Sequence, residues 1–141
     1  RSRGWPVIDA ARRAYEDMFG VADIVLASVE DLTPLYGEQV ESGLLDRLKV
    51  AEMVLKLDEP ACIVRANGTD QRSLAEPVSQ VVDTTAAGDS FAAAYLAARL
   101  AGYAPTAAAR AGHRLAGVVV GHRGAIIPRG AMPSGIMERL S

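Results

Sequence analysis

Short apolar runs alternate with segments of helical periodicity along this sequence, and that alternation constrains the fold more than any other feature. Ile24 to Ala27 and Ala61 to Arg65 are continuous runs with β-branched members, as expected of strands covered on both faces of a sheet. Apolar residues at helical spacing predict helices over residues 6–19, 30–36, 42–57, 87–101 and 105–120. The alternation indicates an α/β layered fold with a mainly parallel sheet.

The predicted sheet is short of strands. Only about three can be counted, whereas an average sheet has about five or six. The first residues, Arg1 to Pro6, lack an initiator methionine and the apolar core of a signal peptide. We therefore expect residues 1–141 to be the C-terminal portion of a longer domain. Residues 121–133, with three glycines and two prolines, are predicted to be a loop before a short helix over 134–140.

The composition excludes several classes of function. A net charge of −2 leaves no basic footprint for nucleic acid, and no apolar stretch reaches the roughly 18 residues of a membrane span. The single cysteine, Cys62, can form no internal disulfide, which fits a reducing compartment such as the cytoplasm. His113 and His122 have no partners at the spacing of a zinc site. We therefore expect no nucleic-acid partner, no membrane partner and no structural metal.

The segment from Val81 to Phe91 joins a short apolar strand to a helix through small residues. The backbone N–H groups of Ala86, Ala87 and Gly88 are predicted to be unobstructed and able to face an anion at the positive end of the helix dipole. A transferring γ-phosphate is such an anion. Asp89, in the first turn, can then accept the proton of a substrate hydroxyl.

Spacing alone leaves a second interpretation open, in which Asp83, Thr84 and Thr85 only cap the helix and Asp89 only complements its dipole. The string Asp83-Thr84-Thr85-Ala86-Ala87-Gly88-Asp89-Ser90-Phe91 resembles the C-terminal signature of the ribokinase-like (PfkB) carbohydrate kinases, whose usual form has Gly where Ala86 stands. Together with Gly112-His113 and Arg123-Gly124-Ala125-Ile126-Ile127-Pro128, it makes the chain most similar to the 2-keto-3-deoxygluconate kinases of that family.

The resemblance implies ATP-dependent phosphorylation of a hydroxyl of a sugar or sugar acid, with 2-keto-3-deoxygluconate as the leading substrate and magnesium as the partner of ATP. It implies that Asp89 is the base and that Ala86, Ala87 and Gly88 form the anion hole. It also implies a ribokinase-like fold, of which residues 1–141 are the C-terminal nucleotide-binding and catalytic portion. The missing N-terminal part would supply most sugar contacts, a lid and a homodimer interface.

Two further ion sites follow from the resemblance. A monovalent cation, with potassium as a candidate, would lie beside the motif, held largely by backbone carbonyls in two stretches; the residues implied are Asp83, Thr85, Arg123 and Gly124. Leu26 to Asp31 resembles a strand-end motif of Asn, two variable residues and Glu that organises magnesium and phosphates. Ser28 and Asp31 fill its two places here, with Asp31 reaching magnesium through water. The competing interpretation makes Ser28 a helix N-cap and Asp31 a first-turn acid.

The remaining nucleotide candidates lie further along the chain. Arg65 to Asp70 falls where the family has a glycine-punctuated loop under the nucleotide phosphates, and Asn67 and Asp70 replace the usual glycines. Asn67 can take a left-handed conformation, Gly68 restores flexibility, and Arg65 either meets a phosphate or points into solvent.

His113 lies where related kinases place a polar residue near the adenine. The competing interpretation is a partly buried histidine bonded to a backbone carbonyl, and His122 is predicted to be a surface residue. Arg1 to Trp5 resembles an Arg-Pro-X-Leu-Trp stretch whose arginine, here Arg1, meets the substrate carboxylate.

Two alternatives to this function stay open on the sequence. A chain with altered glycines near Asn67 could be a non-catalytic nucleotide- or anion-binding fragment, or a degenerate relative of the kinases. Within the kinase class, the acceptor could instead be fructose, ribose or a nucleoside, since the residues that read the substrate lie mostly outside this chain.

Overall fold

The computed structural model describes residues 7–37 and 40–137, without the side chains of residues 41 and 42. The chain divides into two compact units, residues 1–72 and 73–141, and the division falls inside a strand. The elements up to that strand are α1 Ile8–Val21, β1 Ile24–Ser28, α2 Val29–Tyr36, a π-helical turn Val40–Leu44, α3 Leu45–Arg47, β2 Glu52–Lys56, β3 Ala61–Ala66 and β4 Thr69–Leu74.

The four strands form one sheet in the order β1-β2-β3-β4. β1 pairs with β2 in parallel, from Ile24 opposite Glu52 to Ser28 opposite Lys56, whereas β2 and β3 are antiparallel. β3 and β4 are joined by Asn67 and Gly68, both with positive φ (53° and 74°), as a two-residue type I′ hairpin requires.

The α/β fold class is confirmed, but the sheet is mixed, and the prediction of a mainly parallel sheet is wrong for the strands described. The reason lies in the length of the connections. A parallel pair needs a crossover of about a dozen residues or more. Only residues 57–60 separate β2 from β3, and only residues 67–68 separate β3 from β4, so both connections must reverse the chain.

The predicted helix over residues 42–57 is wrong in its second half. The helix ends at Arg47, and residues 52–56 form β2, whose first four residues are all buried. The leucines at 44, 45 and 48 do have helical spacing, and Leu55 extends that period by coincidence. A short apolar run that is buried on both faces has no periodicity of its own, so the sequence pattern does not distinguish this strand from a continuation of the preceding helix.

Helices α1 and α2 pack over the sheet of the first unit, and polar contacts hold both ends of α2. The Ser28 hydroxyl accepts a hydrogen bond from the Asp31 N–H (3.1 Å), so the predicted N-cap of α2 is confirmed. At the other end of α2, the Arg12 guanidinium donates from Nε and Nη2 to the Leu35 carbonyl (2.9 and 2.6 Å). The core beneath consists of Phe19, Val25, Leu32, Val40, Leu44, Leu45, Leu48, Val50, Met53 and Leu55.

The second unit is built on two helices that pack together as predicted, α4 Ala87–Leu100 and α5 Pro105–Val120. The buried residues of the two helices are mostly alanine, and a Cβ added to Gly112 of α5 would lie 2.7 Å from ring carbons of Phe91 on α4. Residues 121–133 form the predicted loop apart from a 3₁₀ turn at Arg129–Ala131. The predicted helix over 134–140 is a turn at 134–137, and the rest lies outside the described residues.

A membrane-spanning helix was not expected from the sequence. Within residues 7–37 and 40–137, no helix has the length and apolar character that crossing a bilayer requires.

Candidate functional site

The segment before the signature is anchored on the end of α5. The N–H groups of Val82 and Asp83 both donate to the Val120 carbonyl, at 2.7 and 3.1 Å. That carbonyl belongs to the last turn of α5, where carbonyls lack intrahelical donors. The main chain therefore enters the signature from a fixed point on a neighbouring helix.

The Asp83 carboxylate binds two backbone stretches at once. Its Oδ1 accepts from the Thr85 N–H and its Oδ2 from the Gly124 N–H, each at 2.8 Å. Hydrogen bonds from the Thr85 side chain, the Thr85 N–H and the Gly124 N–H lower the pKa of Asp83 to about 2, helped by the charge of Arg123. The carboxylate is thus ionised at neutral pH.

A tight turn over Thr84 to Ala87 leads from Asp83 into helix α4. The Ala87 N–H donates to the Thr84 carbonyl (3.2 Å), and Ala86, the third residue of the turn, has φ 61° and ψ 9°. Positive φ at this position is what a type II turn requires, and glycine is the residue that meets it without strain. The turn therefore explains in physical terms why the usual form of the signature has Gly where Ala86 stands.

Helix α4 starts at Ala87, and its first hydrogen bond runs from the Ser90 N–H to the Ala86 carbonyl (2.9 Å). The prediction that the Ala87 N–H is unobstructed is wrong in this structure, because that group already donates within the turn. Gly88 and Asp89 lie in the first helical turn, where N–H groups have no intrahelical acceptor. The Asp89 side chain is exposed.

Ala86→Gly should raise the free energy of unfolding by about 1 kcal/mol. A left-handed alanine costs roughly 1–2 kcal/mol, and the greater freedom of glycine in the unfolded chain offsets part of that gain. Urea titration measures the change. The matched control is Ala93→Gly, exposed within α4, which should lower stability by about 1 kcal/mol. A loss at both positions would contradict the left-handed conformation of Ala86.

His113 lies on α5 with its ring half-buried. Its Nε2 is 3.1 Å from the Ser73 carbonyl oxygen, and its ring meets the Phe91 ring edge-on with centroids 5.1 Å apart. The interpretation as a partly buried histidine bonded to a backbone carbonyl is confirmed. The prediction for His122 as a surface residue is wrong in part, because the ring is half-buried with Nδ1 2.9 Å from the Val118 carbonyl oxygen.

Both histidines line an open groove of about 850 Å³ in the second unit. Its walls come from residues 74–80, from α5 and the two residues after it, and from residues 133–136. This volume lies within the roughly 300–1,000 Å³ of small-molecule sites in proteins. The groove is therefore large enough for a ligand such as a nucleoside.

His113→Gln should flatten the loss of stability on acidification. Burial lowers the pKa of His113 below its ordinary value of 6.5, so the unfolded chain takes up a proton before the folded chain does. The contribution of this residue to stability is therefore full above about pH 6.5 and declines below it. Urea midpoints measured from about pH 7.5 to pH 5 test this. His122→Gln is the control, and an unchanged slope in His113→Gln would contradict the expectation.

In the first unit, Ser28 and Asp31 contact each other. Besides the N-cap bond, the Ser28 hydroxyl donates to Asp31 Oδ2 (2.6 Å). The capping interpretation is thus confirmed, and a magnesium role for Asp31 stays a prediction. Among the residues that the structure describes, no group of three or more His, Cys, Asp or Glu side chains is placed to hold a metal ion.

Arg65 is held by two carboxylates. Its Nε and Nη2 donate to the two oxygens of Asp70 (2.5 and 2.7 Å), and Nη2 also reaches Asp46 Oδ1 (2.8 Å). Hydrogen bonds to Asp70 and then to Asp46 raise the pKa of Arg65, and the same contact lowers the pKa of Asp70. The interpretation in which Arg65 points into solvent is wrong, since its side chain is 17% exposed.

The second unit thus brings together Asp83, the stretch from Ala86 to Asp89, and Gly124. Ser28, Asp31, Arg65, Asn67 and Gly68 belong to the first unit, and Arg1 lies outside the described residues. The sequence interpretation missed Val120 and Asp46, and it missed that the Asp83 side chain binds the Gly124 N–H. No local signal marks these pairs, because they join residues distant in the chain.

The family model for pfkB family carbohydrate kinases matches residues 2–131. This chain belongs to that family of carbohydrate kinases, as the signature predicted. It is 41% identical over 140 residues to the 2-dehydro-3-deoxygluconokinase of Dickeya dadantii, a match that covers 95% of this chain and 45% of that relative. The enzyme of the same name from Escherichia coli K12 is 39% identical with the same coverage. The chain thus spans about half the length of the relatives it matches.

Solved structures confirm the ribokinase-like fold. The adenosine kinase of Sinorhizobium meliloti matches with a TM-score of 0.74 and 27% identity, covering 88% of this chain and 39% of that chain. The Arabidopsis thaliana ribokinase, solved with ribose and ATP, matches with a TM-score of 0.71 and 28% identity, covering 84% and 40%.

Proposed function

We propose that this chain carries the phosphate-handling and proton-accepting site of an ATP-dependent kinase for a hydroxyl of a sugar or sugar acid. One observation carries the proposal: the turn from Thr84 to Ala87 leads directly into helix α4, and Asp89 is exposed in the first turn of that helix. A helix start of this kind presents unpaired N–H groups and positive potential to an anion. A carboxylate beside that anion is placed to take a proton from an attacking hydroxyl.

In the proposed reaction, the oxygen of the acceptor hydroxyl attacks the γ-phosphorus while Asp89 accepts the hydroxyl proton. The bond between the γ-phosphorus and the oxygen of the leaving ADP breaks in the same step. The N–H groups of Ala86 and Gly88 donate to the equatorial oxygens. The Ala87 N–H joins them if its 3.2 Å bond to the Thr84 carbonyl gives way when the phosphate binds. Most of the rate comes from positioning and charge stabilisation, because the turn and the first turn of α4 hold Asp89 and the N–H groups of Ala86 and Gly88 in place before the substrate arrives.

The groove beside His113 is the proposed place for the base of ATP, since it has a suitable volume and belongs to the same unit as the signature. Arg65, Asn67 and Gly68 are the proposed contacts for the phosphates. Magnesium, when bound with ATP, neutralises charge on the phosphates, and Asp31 beside Ser28 would hold it through water.

A monovalent cation, with potassium as the candidate, fits the backbone around Asp83. The Asp83 side chain holds Thr85 and Gly124 next to each other, and carbonyls from two such adjacent stretches can share one ion. Arg123 belongs to the same loop, and its carbonyl completes the proposed set.

The names of the two bacterial relatives favour 2-keto-3-deoxygluconate as the acceptor. Arg1 is the proposed partner of its carboxylate. Residues 1–141 would then be the C-terminal nucleotide-binding and catalytic portion of a kinase domain, with a homodimer formed through the N-terminal part. Fructose, ribose or a nucleoside is the alternative acceptor within the class.

A second candidate function is a non-catalytic nucleotide- or anion-binding module. The observation that favours it is that Arg65, the cation proposed to contact the phosphates, already forms ion pairs with Asp70 and Asp46. A binding module would retain affinity for ATP through the helix start and the groove without transferring phosphate.

The test measures ADP release with magnesium-ATP and, separately, 2-keto-3-deoxygluconate, fructose, ribose or adenosine, beside calorimetric titration of ATP. Release confined to the keto-deoxy acid supports the proposal with its substrate. Release with another acceptor supports the kinase and overturns the substrate. ATP binding without release from any acceptor favours the binding module.

A further inference from the structure

We infer that Asp83 is a positioning residue, whose carboxylate couples the loop at Gly124 to the turn that sets the start of helix α4. The inference rests on the proposed function and deepens it, because the turn controls where the proposed phosphate donors lie. Each carboxylate oxygen has a different partner: Oδ1 takes the Thr85 N–H two residues on, and Oδ2 takes the Gly124 N–H forty-one positions away (2.8 Å each).

The bond to Gly124 closes a ring of contacts. Asp83 is tied through its own N–H to the Val120 carbonyl (3.1 Å). From Val120 the chain continues through bonds from the Gly121 and His122 N–H groups back to the last turn of α5, and then reaches Gly124. Asp83 contacts both ends of this path, Val120 through its backbone N–H and Gly124 through its carboxylate. Asp83 is therefore bound at its backbone and its side chain to two ends of one short segment.

Gly124 is suited to this contact by its backbone. Its φ is 86°, a left-handed value that side chains disfavour, and nothing lies within 4 Å of the place where a Cβ would be. The glycine is thus required by conformation and not by space. In that conformation its N–H points at Asp83.

The other oxygen acts on the turn. Holding the Thr85 N–H fixes the peptide just before Ala86, whose left-handed backbone is unfavourable for an alanine and needs support from its surroundings. A helix cap alone would need only this local bond. The long-range bond to Gly124 adds a second fixed point, so a shift of the 121–124 loop would displace the turn and the first N–H groups of α4.

The experiment compares Asp83→Ala, which removes both acceptors, with Asp83→Asn, whose amide oxygen can keep one. Hydrogen exchange of the Gly124 amide should accelerate about tenfold or more in Asp83→Ala and less in Asp83→Asn, with exchange in β2 unchanged. The control is Asp9→Asn, which removes an exposed carboxylate paired with Arg12 on α1 (3.1 Å). It should leave Gly124 exchange as it is.

The same variants are assayed for ADP release. Positioning predicts that kcat falls about 10- to 100-fold while KM for ATP stays within about threefold. A kcat equal to wild type in both variants overturns the inference, as does unchanged exchange at Gly124. If Asp83→Ala unfolds, hydrogen exchange rises in β2 as well. The inference is then tested with Asp83→Asn alone, from its Gly124 exchange, its β2 exchange and its kcat. If the wild-type chain releases no ADP with any acceptor while the variants show faster exchange at Gly124, the proposed function is overturned and the coupling of the loop to the turn still stands.

Discussion

Asparagine in place of Asp89 should slow ADP release by roughly a thousandfold at saturating magnesium-ATP and acceptor, with little change in KM for ATP. General acid–base groups contribute about 10²- to 10⁴-fold, and an amide of the same size cannot take the proton of the acceptor hydroxyl. The side chain is exposed in the first turn of α4, so the substitution should leave the fold unchanged. Initial rates by coupled ADP assay, with circular dichroism of the same samples, measure both effects.

The control addresses the interpretation in which Asp89 only complements a helix dipole. Glu30 occupies the first turn of α2 with an exposed side chain, so Glu30→Gln removes a comparable first-turn charge elsewhere. That variant should keep the wild-type rate. If Asp89→Asn also keeps more than about a tenth of the rate, Asp89 is not the base, because loss of a base costs at least about a hundredfold.

The parts of the fold that could be predicted are those whose signals come from residues adjacent in the sequence. Helix α5 begins at Pro105 and α2 is capped by Ser28, and both are signals contained in a few adjacent positions. The signature is local in the same sense. Its turn and helix start use residues 84–90, so the sequence placed Asp89 in a first helical turn without knowledge of the rest of the molecule.

The parts that could not be predicted depend on distant partners. Strand β2 is a strand because β1 and β3 lie on its two sides, and nothing within Glu52–Lys56 distinguishes it from a buried helical turn. The sequence predicts that Arg65 is a phosphate ligand or a solvated side chain, and only the fold brings Asp46 to it. The cytoplasmic location, the extent of the domain and the ion sites stay predictions.

Gly112→Ala should lower the free energy of unfolding by about 2 kcal/mol. An added Cβ would meet two carbons of the Phe91 ring at 2.7 Å, and overpacking a core typically costs about 1–3 kcal/mol. The ring cannot easily give way, since it is buried, stacks with Tyr95 (centroids 6.2 Å apart) and meets His113 edge-on. The gain of about 1 kcal/mol from alanine in a helix offsets only part of a cost at the upper end of this range. Urea unfolding measures the difference.

The matched control is Gly117→Ala, the same change in the same helix. A Cβ there would meet only the Val78 side chain, at 3.3 Å, and that side chain can shift because it is 40% exposed. The helix propensity of alanine should therefore leave stability equal or up to about 1 kcal/mol higher. Adding Phe91→Leu to Gly112→Ala isolates the clash, because the smaller side chain removes the ring edge. The pair should then be more stable than the sum of its single variants by at least about 1 kcal/mol. Additive losses, or equal effects at Gly112 and Gly117, would mean that α4 and α5 do not approach each other through Gly112.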